Sequence, residues 1–260
     1  SETITLGPRT QLFGAARVVT EIRATEGFGD KDQPLIATVD DPQATTSLSN
    51  VSLAHYASDP NVNALAWKAG RHSTLRSVWV YLCDSKAKAR PVRAHCTYKV
   101  SGHGGGRWYA VNAYEGQLAP TTMHPEYRRL LVEGTVEPLA LYGFNVERVR
   151  ATPQSEIRNA QHVRIYYYKS EAGTAGGDRN TPLRIVNSSD IAVHSVSGSI
   201  DLEAGQPVVE IVDSHDIVVT QAKSFRASNF LSLKETIAGG SVTVPSDTRV
   251  VLYRRQSAKR

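Results

Sequence analysis

Two glutamates and an arginine recur at one position of a repeated pattern, and residues of these types can form an acid–base site. Each lies one residue before the first apolar residue of a repeat; they are Glu156, Arg184 and Glu210. If the repeats stack as parallel strands, neighbouring copies lie about 4.8 Å apart and the two glutamates about 9.6 Å apart. That separation is close to the upper limit for the carboxyl pair of an inverting glycosidase. The alternative is a ladder of charges that neutralises an exposed sheet face.

A run of aromatic residues follows the first of these repeats. Three consecutive tyrosines at positions 166–168 precede Lys169, and tyrosine rings can stack on sugars and offer a hydroxyl group. We therefore predict that Tyr167 and Lys169 bind substrate, although tyrosine is also a common strand residue. The glycine-rich segment 171–180 supplies a third candidate carboxylate, Asp178, for which a solvated turn is the alternative.

The segment 103–109 is the most unusual local stretch, because three successive glycines precede Arg107 and Trp108. It lacks the lysine and the serine or threonine of a phosphate-binding P-loop. We predict that Trp108 stacks on a sugar and that Arg107 contacts an anionic one. The alternative is a flexible insertion whose aromatic rings pack on the rest of the fold.

Motifs for a metal, a cofactor or a catalytic nucleophile are not found. The eight histidines are dispersed, and none has a zinc-ligand spacing with suitable partners. Neither the EF-hand nor the nonapeptide calcium signature is present. We therefore predict no metal site and no cofactor.

The elements that must position these residues return every 26 to 33 residues in the C-terminal half. In each copy an apolar residue is followed by a second one six positions later and a third two positions after that. The four copies are Ile157, Val163 and Ile165; Ile185, Ile191 and Val193; Ile211, Ile217 and Val219; and Val244, Val250 and Leu252. Such a period means that each unit buries its apolar face against its neighbours. Because no helical crossovers intervene, it predicts a parallel β-solenoid.

Polar residues at the same register of each copy predict tight corners between the strands. They are Asn159, Asn187, Asp213 and Ser246, and Asn and Asp tolerate the left-handed backbone of sharp bends. A fainter copy in the N-terminal half pairs Val51 and Leu53 with Val78 and Val80. We predict a single domain over residues 1–260, with a loop insertion at 101–131 that includes a short helical turn at 125–131. A basic C-terminal tail is predicted at 254–260.

The repeat beginning at Glu156, with the copies beginning at Leu183 and Val209, resembles the rungs of the right-handed parallel β-helix of the pectate-lyase-like superfold. The resemblance covers residues 132–254 and, more faintly, 35–100. It implies a carbohydrate-active protein that binds and cleaves a polysaccharide lying along the stacked strands, with glycoside hydrolysis preferred. A second reading is a polysaccharide lyase, with Lys169 or a tyrosine as the base and Arg184 neutralising a uronate. A third is a non-catalytic glycan-binding or tailspike-like structural module.

Composition limits the partners. The net charge of +5 arises from 30 basic and 25 acidic residues; because these are scattered, we expect no nucleic acid partner. The sequence contains no run of 18 apolar residues, so we predict no transmembrane helix. The expected partner is therefore a polysaccharide or oligosaccharide. The length also leaves open a fragment, one chain of a processed enzyme, or a homo-oligomer that covers the solenoid ends.

Two cysteines bear on localisation. A bridge between Cys83 and Cys96 would close a loop of about 14 residues and contribute on the order of 3 kcal/mol. That bridge would favour secretion, whereas two buried thiols are the alternative. The chain opens on residues 1–4 with neither a basic nor an apolar signal region, so a signal peptide was either removed or never present. From the possible bridge we predict a secreted or extracellular protein whose signal peptide is not part of this chain.

Overall fold

A computed structural model of the chain describes residues 2–25, 28, 33–54, 63–82, 96–115, 126–149, 151–172, 180–246 and 253–256. Within these ranges the fold is all-β, as predicted from the repeats. The strands of the N-terminal half are β1 (Ile4–Leu6), β2 (Gln11–Phe13), β3 (Glu21–Arg23), β4 (Pro34–Thr38), β5 (Ser47–Ser49), β6 (Ser52–Ala54), β7 (Asn63–Trp67), β8 (Thr74–Arg76), β9 (Trp79–Leu82), β10 (Cys96–Ser101) and β11 (Gly106–Glu115). Those of the C-terminal half are β12 (Arg128–Glu133), β13 (Leu139–Val149), β14 (Ser155–Arg158), β15 (Gln161–Ala172), β16 (Leu183–Val186), β17 (Ser189–Gly198), β18 (Pro207–Val212), β19 (His215–Val219), β20 (Ala222–Ser224), β21 (Leu231–Ile237), β22 (Gly240–Pro245) and β23 (Tyr253–Arg255). No helix among the described residues has the length and apolar character needed to cross a membrane.

The strands stack into two sheets in which equivalent strands of successive coils pair in parallel. One sheet runs β1-β4-β7-β10-β12-β14-β16-β18-β21-β22, and we call it the first face. The other runs β2-β5-β8-β11-β13-β15-β17-β19-β23, with β3, β6, β9 and β20 beside it. The chain is therefore a parallel β-solenoid, and the predicted fold class is confirmed.

The second sheet divides into two faces at a row of left-handed residues. In β13, β15 and β17 these are Gly143, Tyr167 and Ser195, with φ of 73°, 72° and 74°. In the earlier coils Asn50 lies between β5 and β6, and Ser77 between β8 and β9. We call the part before this corner row the second face and the part after it the third face.

The core is built from columns of apolar side chains contributed by successive coils. Val132, Ile157, Ile185 and Ile211 are aligned in the first face and fully buried. A fully buried isoleucine stabilises the fold by about 1.5–3 kcal/mol relative to an exposed one. The other two apolar positions of the first three predicted copies are also buried columns, as predicted.

The predicted corners of these copies are confirmed as well. Asn159, Asn187 and Asp213 have φ of 51°, 45° and 44°, the left-handed region that Asn and Asp tolerate best among residues with a side chain. They lie between the first and second faces, so each coil turns at the same register.

The fourth predicted copy is wrong. Val244 lies in β22, which pairs antiparallel with β21, and Val250 and Leu252 lie outside the described residues. The strand that continues the first face is β21. The apolar pattern does not identify β21, because Glu235 occupies the buried position that is in register with Ile211 of the preceding coil.

The insertion predicted at residues 101–131 is wrong for most of its length. Residues 106–115 form β11, which pairs with β8, β9 and β13, and residues 128–131 lie in β12 rather than in a helical turn. The glycines form a tight corner: a Cβ on Gly104 would lie 2.5 Å from the Trp67 carbonyl oxygen, and one on Gly106 would lie 2.1 Å from that of Ser73. Residues 116–125 and most of the predicted basic tail lie outside the described ranges, and Arg254 belongs to β23.

Candidate functional site

The predicted column of Glu156, Arg184 and Glu210 exists on the first face. β14, β16 and β18 place the three residues in register. Arg184 Nε lies 2.6 Å from Glu210 Oε2. Glu156, only 6% exposed, instead pairs with Arg128, whose Nε is 2.8 Å from its Oε2.

Each of these carboxylates therefore faces its own arginine. An inverting glycosidase needs one protonated carboxyl group to act as general acid, whereas a hydrogen-bonded guanidinium stabilises a carboxylate. The geometry is that of the charge ladder, which was the alternative to the acid–base pair. Asp178, the third candidate carboxylate, lies outside the described residues.

A groove of about 440 Å³ lies beside this ladder on the first face. Lys99, Glu126 and Arg158 line it above an apolar floor. Next to it Glu133 accepts hydrogen bonds from Lys99 and Arg158, with Nζ and Nε at 3.0 and 2.8 Å. Partial burial alone would raise the pKa of Glu133, but these hydrogen bonds outweigh it and lower the pKa. The groove thus combines both signs of charge.

The second face carries a continuous outward column of stacked rings. Tyr109, Tyr142, Tyr166 and His194 lie in successive coils, with centroids 5.0, 4.8 and 5.1 Å apart and planes within 15°. The Arg76 guanidinium lies 4.9 Å from the Tyr109 centroid and covers the end of the column. Because the rings cover one another's faces, the column offers ring edges and hydroxyl groups to a ligand.

Tyr167 presents its ring differently. It is 48% exposed, and among the described residues no ring, hydrogen-bond or ion-pair partner is found for its side chain. In the corner row it stands between Gly143 and Ser195, and Ala110 lies one coil further. An aromatic side chain at a positive φ is an outlier that costs about 1–3 kcal/mol. Small neighbours on both sides leave this ring open.

Lys169 lies on the third face and is held as a cation. Its Nζ lies 2.9 Å from Glu147 Oε1 and 2.8 Å from Glu171 Oε1. Partial burial would lower its pKa, but the hydrogen bonds to Glu171 and Glu147 prevail and raise the pKa. A lysine acting as the base of a lyase must lose its proton, so this environment opposes that role. Asn145 also donates a hydrogen bond to Glu147, at 2.8 Å.

Arg107 is exposed on the second face, where it borders a depression of about 220 Å³. In the register of β11, β13 and β15 the neighbouring coils contribute Ala140 and Arg164. Sequence reasoning missed Tyr142 and Arg164. The signal was present, because Leu139, Leu141 and Tyr142 repeat the spacing of Val163, Ile165 and Tyr166.

The Trp108 ring is buried, so it is not accessible for the stacking on a sugar that the sequence predicted. It is 1% exposed and packs edge-on against Trp67 and Tyr98, with centroids 5.9 and 5.8 Å away. Its side chain points inward because Arg107 and Tyr109, its neighbours in β11, point outward. Cys96 is buried, and Cys83 lies outside the described residues, so the predicted bridge stays a prediction.

No protein-family model matches this chain, and no curated protein matches it significantly. Among the described residues no group of three or more His, Cys, Asp or Glu is arranged to hold a metal ion. Since a solenoid hosts many functions, a function has to be argued from the arrangement of these side chains.

Proposed function

We propose that this chain is a polysaccharide-binding β-solenoid that holds a glycan across its second face, with one sugar ring stacked on Tyr167. The observation that carries the proposal is the corner row. Gly143 and Asn50 are residue types that favour its left-handed backbone, and the other members of the row, Ser77, Ala110 and Ser195, have short side chains, whereas Tyr167 is bulky. Backbone strain of this kind is concentrated at functional sites, and no packing partner for the Tyr167 ring is found among the residues that the structure describes.

The surroundings of Tyr167 supply the polar groups that a sugar needs. Tyr166 and Tyr142 offer a row of hydroxyl groups at the coil spacing on one side of the corner. Asn145 and Lys169, with its two glutamate partners, lie on the other side. An aromatic ring with planar polar side chains around it can bind both the apolar face and the hydroxyl groups of a sugar.

The test is electrophoresis of the native protein through gels that contain neutral, uronate-containing or sulfated polysaccharides. The proposal predicts retardation by at least one polymer, and a dissociation constant raised about tenfold by Tyr167→Asn, since a stacked aromatic ring contributes about 1.4 kcal/mol. Phe225→Asn removes another exposed ring and is the matched control, with little effect expected. Equal retardation of wild type and Tyr167→Asn by every binding polymer would refute the proposal, and so would the absence of retardation by the whole panel.

Hydrolysis is the second candidate function, and one observation favours it. Glu156 and Glu210 lie two coils apart in the first face, in register with Arg184, and a substrate would have to displace their arginine partners before either could act as an acid. Reducing ends released without a rise in absorbance near 235 nm, and lost in both Glu156→Gln and Glu210→Gln, would support it. A rise at 235 nm would instead support elimination and direct attention to Arg184 and to a tyrosine as the base, because Lys169 is held as a cation. If the wild type releases no reducing ends from any polymer that it binds, both cleavage reactions are excluded.

A further inference from the structure

The depression on the second face is lined mainly by basic side chains. Arg71, His72, Arg107, His162 and Arg164 surround it. Arg107 and Arg164 are two coils apart with Ala140 between them, so their Cα atoms are separated by about 9.6 Å. The small Ala140 side chain leaves room between the two guanidinium groups.

The acidic side chains nearby neutralise only part of this charge. His162 Nδ1 lies 2.6 Å from Asp190 Oδ2, and Arg164 also donates to the Asp190 carboxylate. Burial opposes ionisation of Asp190, but these hydrogen bonds prevail and lower its pKa. Arg71 Nε is 3.9 Å from Glu137. Arg107 forms no ion pair with any other described residue and remains available.

We propose that this depression binds an anionic substituent, a carboxylate or a sulfate, of the glycan that contacts Tyr167. The inference rests on the proposed function and specifies its substrate class as an acidic polysaccharide. A guanidinium group is the side chain best suited to such oxyanions, because its planar fork donates two parallel hydrogen bonds. Arg164 and Tyr167 are three residues apart on β15, about 10 Å along the strand. One glycan crossing the second face along β15 therefore reaches both.

The test compares each acidic polymer with its neutralised counterpart. Polygalacturonate against its methyl ester examines carboxylates, and heparin against desulfated heparin examines sulfates. Dissociation constants are measured for wild type, Arg107→Gln and Arg226→Gln. Arg107 is exposed and forms no ion pair within the described ranges, so its replacement leaves the fold intact. Arg226, an exposed arginine that follows β20, is the matched control for general charge.

The inference predicts that the acidic member of one pair binds tighter than its counterpart, and that Arg107→Gln weakens this binding about tenfold. Arg226→Gln should change it less than about twofold. Equal binding of acidic and neutralised polymers, or equal losses in the two variants, overturns the inference. If Tyr167→Asn weakens binding about tenfold in that case, the proposed function stands. Absence of binding to every polymer, neutral ones included, overturns both.

Discussion

At the scale of single residues, Tyr167 separates binding from stability. Replacing it by asparagine relieves a left-handed backbone that asparagine adopts more readily, so we expect Tyr167→Asn to leave the free energy of unfolding unchanged or raise it by up to about 1 kcal/mol. Tyr166→Asn should lower it by about 1–3 kcal/mol, because Tyr166 stacks between Tyr142 and His194. Chemical denaturation of the two variants measures both values, and a large loss in Tyr167→Asn would show that its ring packs on the fold.

Glu133 links stability to pH. Its pKa in the folded protein lies below the ordinary value of 4.5 because hydrogen bonds from Lys99 and Arg158 outweigh its partial burial. Its stabilising contribution is thus complete above the ordinary pKa and is lost as the pH falls through the lower, folded pKa. We expect the free energy of unfolding to fall more steeply in wild type than in Glu133→Gln between about pH 5 and pH 3. Parallel pH profiles in urea unfolding would contradict this.

The candidate site was only partly predictable at this scale. The tyrosines at 166–168 and Arg107 could be identified from residue type and spacing. The depression could not, because Arg107 and Arg164 meet only when the register of three coils is known. Trp108 was misassigned because β11, the strand that turns its ring inward, was not recognised in the sequence.

At the scale of the elements, glycine is required at a corner where two backbones lie in close contact. Gly106 has a φ of 94°, and a Cβ there would lie 2.1 Å from the Ser73 carbonyl oxygen. Gly134 also has a positive φ, 70°, but has no atom within 4 Å of its added Cβ. We expect Gly134→Ala to cost about 1–2 kcal/mol from the backbone alone, and Gly106→Ala about 3 kcal/mol or more from backbone and overlap together. Thermal unfolding of the pair checks the difference, and equal losses would contradict the close contact.

Strands were predictable where their apolar residues alternate with polar ones and face a neighbouring copy. The copies beginning at Ile157, Ile185 and Ile211 meet that condition, and each is buried as predicted. β11 and β21 were not predicted, because glycines precede β11 and the charged Glu235 interrupts the apolar pattern of β21. Glycine in a sequence usually indicates a loop, yet a solenoid also requires glycine at corners where two backbone segments are in close contact.

At the scale of the whole molecule, antiparallel strands cover two of the three faces at the C-terminal end of the solenoid. β22 pairs with β21 and β23 pairs with β19, so the last parallel strands of the first and second faces each have a partner. Covered edges limit pairing with other chains. The buried Glu235 accepts a hydrogen bond from Tyr253 of β23 and lies 3.7 Å from Arg255 Nε, which ties this strand to the core.

Closure of this end is testable through Tyr253. Burial, followed by the hydrogen bond to Glu235, raises the pKa of Tyr253 above its ordinary value of 10.0. Its contribution is present below that value and is lost as the pH rises through the folded pKa. We expect Tyr253→Phe to lower the free energy of unfolding by about 1–3 kcal/mol at neutral pH, because buried Glu235 loses a donor. Denaturation of both proteins should show that the difference between their free energies of unfolding is smaller at alkaline pH than near neutral pH. An unchanged difference would contradict this role.

The central claim, that a glycan stacks on Tyr167, is tested most directly by calorimetric titration with an oligosaccharide cut from a polymer that retards the protein. Wild type should bind with measurable heat, Tyr167→Phe should lose less affinity than Tyr167→Asn, and Tyr167→Asn should bind about tenfold more weakly or not at all. An unchanged dissociation constant in Tyr167→Asn would contradict the account and place the ligand elsewhere on the solenoid.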